Sequence, residues 1–285
     1  MPAGTTVWRL LTRLDATLIS SVLAGWLRTR TPPVTTLPRR YRTVIAVDGK
    51  TLRGARLPDG RQMHLLSALD TSTGIVLAQV TVDTIVADAL HTQTRHAEQI
   101  TSRGAHLLLQ AKGNQPTLFA QRKAVPWAQI PVGGRTRDRG HGRKETRTVK
   151  AVTLHTPGEI AFSHAQQAIR IIRTRTTGGK TSRETVYLVT SLPVADAQPS
   201  DLQKWARAEW LIENQVHNVR DVTFREDLHQ ARTGTGPAVM ATLRNAAIGW
   251  HRIHGEPNIA RANRRADRRS HDLITAVTSS YPRTQ

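Results

Sequence analysis

Two short apolar runs in this 285-residue chain end on an aspartate: Val44-Ile45-Ala46-Val47-Asp48, then Gly49, and Thr84-Ile85-Val86-Ala87-Asp88. A continuous run of this kind reads as a strand buried on both faces, with the acid at its C-terminal end. Far downstream, Glu213 lies in a helical pattern with Glu209, His217 and Arg220 at i−4, i+4 and i+7, which is one stripe of a helix. Parallel neighbouring strands run about 4.8 Å apart, so in that arrangement the two aspartates can share a cation, and without one they repel. Carboxylates are the hard ligands that Mg²⁺ takes. Two such ions about 3.5–4 Å apart clamp the attacking and leaving oxygens of an in-line phosphoryl displacement. A Glu, a His and an Arg on one stripe can ligate metal, poise a proton and contact a phosphate. The plainer readings are that a strand-end Asp caps or turns the chain and that Glu213 is a solvated surface group.

The elements that must position these groups alternate between strand and helix. Residues 6–28 carry helical apolar spacing, read as two short helices, and the proline-bearing segment 29–40 separates them from the first strand. HLLSALD (64–70) and GIVLAQVTV (74–82) read as a hairpin across a Thr-Ser-Thr turn. A helix closed by Gly104 comes after Asp88, and AHLLLQAK (105–112) is a further buried strand ending in the polar turn Lys112-Gly113-Asn114-Gln115-Pro116. From about 127 to 187 the chain is extended, turn-rich and basic; from Pro199 it is helical, with Asp201 as the expected cap and Trp205, Ala208, Ile212, Val216 and Val219 as the apolar stripe. Two more helices are expected, over about 236–253 and over the arginine-rich stretch from Arg261 to Arg269. The fold class is α/β.

Composition bounds the partners. Lys and Arg number 41 against 21 Asp and Glu, a formal net charge of +20, and 34 of the basic residues are arginine, whose planar fork suits bidentate phosphate contact. Hydrophobic residues at 38% are enough for a core. With no cysteine, disulfide frameworks, thiolate metal sites and Cys nucleophiles are excluded. No apolar run approaches the roughly 18 residues of a membrane span, and Asp15 within amphipathic spacing argues against a signal peptide. The expected partner is a polyanion and the expected location the cytoplasm. Lys50 and Arg53 after the first Asp are candidate backbone contacts, as are Lys112, Asn114 and Gln115 at a strand's C-terminal end, where ligands gather in α/β sheets. So are Arg143 and Arg147 beside Gly140-His141-Gly142, Arg220, and Arg232 in ARTGTGPAVM. His91 and Gln93 after the second Asp serve a site or start a helix. Trp205, Trp210 and Trp250 are expected in the core.

VIAVDGKTLRG, VADALHTQTRHAEQI, LLLQAKGNQPTL, DRGHGRKETRTV, AEWLIENQVHNVRDVTFRED and ARTGTGPAVMATLRNAAIG together resemble, in order over about residues 5–265, bacterial insertion-sequence DDE transposases of the ISAs type, relatives of the IS-four class. The resemblance implies a ribonuclease-H-like mixed sheet core over 41–265, a β-rich insertion at about 120–195 and C-terminal helices. It leaves 1–30 as a helical remnant of the transposase-associated domain and 266–285 as a basic tail. It implies Asp48, Asp88 and Glu213 as the catalytic, metal-binding triad, holding two Mg²⁺ with Mn²⁺ as a substitute. That triad would cut double-stranded DNA at the element's terminal inverted repeats so that the freed 3′-hydroxyl attacks target DNA. A homodimer on nucleoid DNA in a bacterial cytoplasm, with no membrane partner, goes with it.

Departures from the family pattern temper that expectation. Family members carry a further segment, with a Lys-Thr/Ser-Asn-Glu-Ile motif and a helix, before the second Asp; here VLAQVTVD runs straight into TIVADALH. In the ribonuclease-H order 3-2-1-4-5 the chain must cross three strand spacings there, about 14 Å, and parallel crossovers normally use a dozen or more residues. Either 74–82 is not a full strand or the fourth strand is displaced and Asp88 misses Asp48. Glu209 stands where the family has His, and Asn218 where it has Trp; Glu209 and Glu213 at i, i+4 repel, which raises the pKa of the more buried one. N-terminal truncation and an internal deletion predict impaired activity. The alternative is a non-catalytic remnant that occupies terminal repeats or joins an intact transposase, and a sequence-nonspecific basic binder is a third reading.

Overall fold

The computed structural model describes residues 4–31, 43–56, 60, 62–77, 84–88, 94–140, 142–155, 159–230 and 232–278. Among the described residues, nine strands form one mixed sheet in the order β3-β2-β1-β4-β5-β9-β8-β7-β6. They are β1 Val44–Arg56, β2 Gln62–Asp70, β3 Val76–Leu77, β4 Thr84–Ala87, β5 His106–Ala111, β6 Gly134–Gly140, β7 Arg143–Thr153, β8 Gln167–Thr177 and β9 Lys180–Thr190. The first five keep the order 3-2-1-4-5 of a ribonuclease-H-like core. The last four form an antiparallel meander that joins it through β5–β9, pairing Leu108 with Thr190. The basic stretch around 135–147, within the segment expected as extended and turn-rich, is the β6–β7 hairpin.

Alternation along β1, β4 and β5 decides what each face touches. The even positions Val44, Val86 and Leu108 pack with Trp205 and Ala208 of helix α5 (Pro199–Ile212), while Ala46 packs with Ile212 and Val216 just beyond. The odd positions Val47, Ile85, Ala87, Leu107 and Leu109 pack with Ala97 of α3 (Thr94–Thr101) and Leu118 of α4 (Pro116–Ala124). Both faces are covered, which is why these strands read as unbroken apolar runs. Helix α4 begins inside the segment expected as a polar turn, with Pro116 in its first turn, where the missing N–H costs nothing.

Over the described part of the strand expected at 74–82, β3 pairs Ala68 with Leu77 and Leu69 with Val76; 78–82 lie outside the described residues. Leu77 stands level with Val47, through Ala68, and β4 starts level with Val44. The chain must therefore move about 14 Å across and about 10 Å back. Residues 77 to 84 reach about 24 Å when extended, which covers that distance without a helix.

Helices α1 (Gly4–Leu11) and α2 (Ala16–Arg28) form as expected, with Asp15 capping α2 by accepting from Thr17 N at 2.8 Å and Leu18 N at 3.1 Å. α2 docks on α6 (Gly236–Ile253), where Trp26 stacks on Trp250 at 5.0 Å between ring centroids. Helices α7 (Ile259–Arg268) and α8 (Ser270–Thr278) end the described chain, α7 running across the 265/266 boundary expected from sequence. At α5 the cap is Gln198 rather than Asp201: Pro199 takes the first turn, and Asp201 at the third position accepts from Gln198 N at 3.1 Å to close a capping box. Among the described residues no single helix is long and apolar enough to cross a membrane; α1 and α2, bent by 96°, pass together on length and composition alone.

Candidate active site

The β1–β4 ladder pairs Val44 with Thr84 and Val47 with Ala87 in parallel, so Asp48 and Asp88 occupy the next register position side by side, on the face that α5 covers. β1 itself does not end at Asp48, as the sequence suggests. It runs on against β2, with Asp48 opposite Ser67, and only the pairing with the four-residue β4 ends at Val47. The sheet opens there, and both acids stand at the opening.

Helix α5 changes pitch where it reaches them. Beyond Ile212 the chain continues as two π-helical segments, Glu213–His217 and Val219–Thr223, in which Asn218 N donates to Glu213 O and Phe224 N to Val219 O. Single π-turns of this kind recur at functional sites. Here the wider turn buries Val216 and His217 together against the sheet while the Glu213 side chain stays 61% exposed. The His217 ring is 5% exposed, and its Nδ1 lies 3.3 Å from both Asp48 Oδ2 and Glu213 Oε2. One ligand atom from each of Asp48, Glu213 and His217 falls within 4.8 Å of the others. The other Asp48 oxygen accepts from Gly49 N at 2.7 Å.

Asp88 is engaged differently: Lys112 Nζ, two register positions farther along the same face, donates to Asp88 Oδ1 at 2.6 Å. Glu209, one turn before Glu213, is pushed up to about 7, first by burial, then by the charge of Asp88 with Lys112 opposing, and last by Asp48. The repulsion expected between Glu209 and Glu213 is thus replaced by repulsion from the two aspartates, because Glu209 faces the sheet and Glu213 faces solvent. The unfolded Glu209 ionises near 4.5, so between there and about 7 the unfolded state releases its proton first. Stability falls as pH rises through that window, and the penalty is complete above it. In EDTA, Glu209→Gln therefore melts higher than the parent chain at pH 8, and the gap closes toward pH 4.5; equal melting temperatures at pH 8 would contradict this.

Two expected phosphate contacts lie inside the molecule. The Lys50 side chain is 10% exposed, and its Nζ sits 2.5 Å from Asp221 Oδ2 and 4.0 Å from Glu226 Oε2. Arg220 is fully buried; its Nε donates to both Glu226 oxygens at 3.0 and 2.9 Å, and Arg244 Nη1 reaches Glu226 Oε1 at 3.0 Å. On a π-turn Arg220 no longer shares Glu213's stripe, which turns it inward. Of the other candidates, Asn114, Arg143 and Arg232 are exposed, Gln115 precedes α4 with a buried Oε1, and the Arg147 side chain is 15% exposed and donates to Asp138 Oδ2 at 3.0 Å. The Arg53 side chain and His91, Gln93 and His141 lie outside the described residues.

A cleft of about 990 Å³ lies between α5 and the β6–β9 meander; Asp48, Asp88 and Glu213 are not among its lining residues. Arg139, Arg143, Arg147, Arg173, Arg175 and Arg207 line it, together with Glu209 and Asn214. Register explains the wall: Arg147 pairs with Arg173 on one face of the meander. The opposite face carries Lys150 and Arg170, whose partner is Trp127, through a 2.6 Å hydrogen bond to its carbonyl and a 5.1 Å cation–π contact. Trp205 is buried and Trp250 half-buried, but Trp210 is 55% exposed in this cleft under Arg173, 5.5 Å from its ring. Sequence reasoning misses Asp221, Glu226 and Arg244 and places Trp210 in the core; only the even–odd alternation hints at which groups share the acids' face.

The chain is 26% identical over 280 residues to YncI of Escherichia coli O157:H7, named as a candidate transposase, covering 87% of this chain and 70% of that one. It is 33% identical over 131 residues to an uncharacterised protein of the dhlA 3′ region of Xanthobacter autotrophicus, covering 37% and 44%. Among solved structures it is similar to a piggyBac transposase synaptic complex with hairpin DNA, at a TM-score of 0.41 and 12% identity over 85% of this chain and 55% of that one. Residues 81–250, from before β4 to the end of the helical segment that carries Glu213 and into α6, match the model of the transposase DDE domain, and the chain belongs to that family.

Proposed function

We propose that this chain is an insertion-sequence transposase of the ISAs type that cuts DNA at its element's ends and joins the freed ends to target DNA, with Asp48, Asp88 and Glu213 as catalytic acids. What supports the reading is Asp48 facing the Glu213 turn across His217, with Asp88 one residue past the last β1–β4 pair, Val47 with Ala87. Asp48, Glu213 and His217 bring ligand atoms within 4.8 Å of one another, a fit for one divalent cation; Asp88 joins them by letting go of Lys112. When bound, Mg²⁺ or Mn²⁺ supplies charge for the attacking and leaving oxygens of the phosphodiester. The protein's own part is to orient. The Gly49 N–H holds one Asp48 oxygen, and Lys50, through Asp221, ties the strand carrying Asp48 to the π-turns carrying Glu213. Lys112, released from Asp88, is available to the substrate backbone.

The arginine-lined cleft is the path proposed for DNA, with Asn114, Gln115, Arg53 and Arg232 as further contacts and two copies acting on paired ends. Arg139→Ala and Arg143→Ala each weaken duplex binding for all sequences alike and lower the slope of log K against log salt by about 1; an unchanged slope removes the cleft from the DNA path. The test of activity is nicking of duplex carrying the element's terminal repeats in Mg²⁺ or Mn²⁺. The Lys112–Asp88 pair and the crowding of Glu209 favour a second reading, a DNA-binding protein without catalysis. It predicts tight, salt-steep binding and no cutting in either metal.

A further inference from the structure

Resting on that reading of the acids, we infer that His217 is itself a metal ligand, its Nδ1 completing a mixed nitrogen–oxygen site with Asp48 Oδ2 and Glu213 Oε2. Cations of this class lie about 2.0–2.2 Å from such ligands, so neighbouring ligand atoms stand about 3.0 Å apart in an octahedron and about 3.5 Å in a tetrahedron. The two edges from Nδ1 are both 3.3 Å, between those limits. The ring is 5% exposed and wedged beside Val216 under the sheet, so it is fixed in place before any ion arrives. Without an ion, an Nδ1–H bridges two carboxylate oxygens. Nε2 is buried and meets no hydrogen-bond partner among the described residues, so no second bond holds the proton at Nδ1. The other tautomer offers its Nδ1 lone pair between the same two oxygens.

An imidazole in the set changes which ion the site takes. Mg²⁺ keeps to oxygen ligands at near-ideal octahedral geometry, whereas the first-row divalent ions bind mixed nitrogen–oxygen sets, Mn²⁺ the most weakly of them. The site is therefore selective for Mn²⁺ over Mg²⁺, in contrast to the all-carboxylate centre expected from the sequence.

The test is pulsed electron paramagnetic resonance of Mn²⁺ on the full chain, which reads ¹⁴N coupling from a directly bound imidazole. The expected result is such coupling in the parent chain and its loss in His217→Asn, with Mn²⁺ affinity lower by at least about tenfold and less discrimination against Mg²⁺. Bound Mn²⁺ without nitrogen coupling in the parent chain overturns the inference and needs no variant; coupling that persists in His217→Asn overturns it as well. Strand cutting separates the two readings. Cutting with uncoupled Mn²⁺ leaves the acids' role standing and removes His217, whereas coupled Mn²⁺ without cutting keeps the ligand and removes the catalytic reading. Failure to bind Mn²⁺ overturns both.

Discussion

Asp48→Asn and Glu213→Gln each lower strand nicking by at least about 10²–10³-fold, the range for losing one preorganised electrostatic partner, while duplex affinity is unchanged. Both substitutions keep shape and remove charge. In Asp48→Asn the amide oxygen still accepts from Gly49 N, so the strand keeps its place, but the atom that faces His217 no longer carries the charge a cation needs. Asp48→Asn also removes one of the charges that, after burial and Asp88, raise Glu209, so its melting temperature without metal is equal to or above that of the parent chain. A gel assay on labelled duplex together with a thermal melt separates lost chemistry from lost fold. Cutting at the parental rate by either variant contradicts the assignment.

Glu226→Ala has the largest expected effect on stability, a loss of about 3–5 kcal/mol, because it strips the shared carboxylate from two buried guanidinium groups. Arg220 is fully buried and Arg244 is 6% exposed, and both donate to Glu226. The acid sits on a 3₁₀ turn (Glu226–Leu228) entered through Arg225 at φ +50°, and it is held there by those bonds. Since Arg220 lies on the second π-turn, the loss loosens the segment that carries Glu213 and His217, so metal affinity falls along with stability. Lys50 keeps Asp221 and so does not repair it. Urea unfolding measures the change. A loss under about 1 kcal/mol would mean that the π-turns are held by packing of Ile212 and Val216 rather than by this network.

The parts of this architecture readable from the residues are those set by alternation and chain punctuation. Continuous apolar runs mark β1, β4 and β5 as doubly buried, and matched strand ends put Asp48 beside Asp88. Gly104 and the segment 236–253 bound helices correctly. The π-turns are not readable, because Trp205, Ala208, Ile212 and Val216 recur at spacings of three and four whether or not the next turn widens. That one change of pitch moves Arg220 into the interior and leaves His217 against Asp48. Lys50 and Arg220 read as phosphate contacts because a cation beside an acidic motif looks solvated until its partner is known, and Asp221 and Glu226 lie far from Lys50 along the chain. Trp210 shows the same logic in reverse: a large apolar residue next to a buried stripe, left exposed because the meander supplies Arg173 rather than a packed wall.

Anomalous scattering from crystals of the chain grown with Mn²⁺ tests most directly whether the opening of the sheet at Asp48 and Asp88, covered by the Glu213 turn, is a divalent-metal centre. The predicted result is a peak bounded by Asp48 Oδ2, Glu213 Oε2 and His217 Nδ1, with Asp88 beside it. Ordered Mn²⁺ found only elsewhere on the molecule, with those three side chains still bonded to one another, would contradict it.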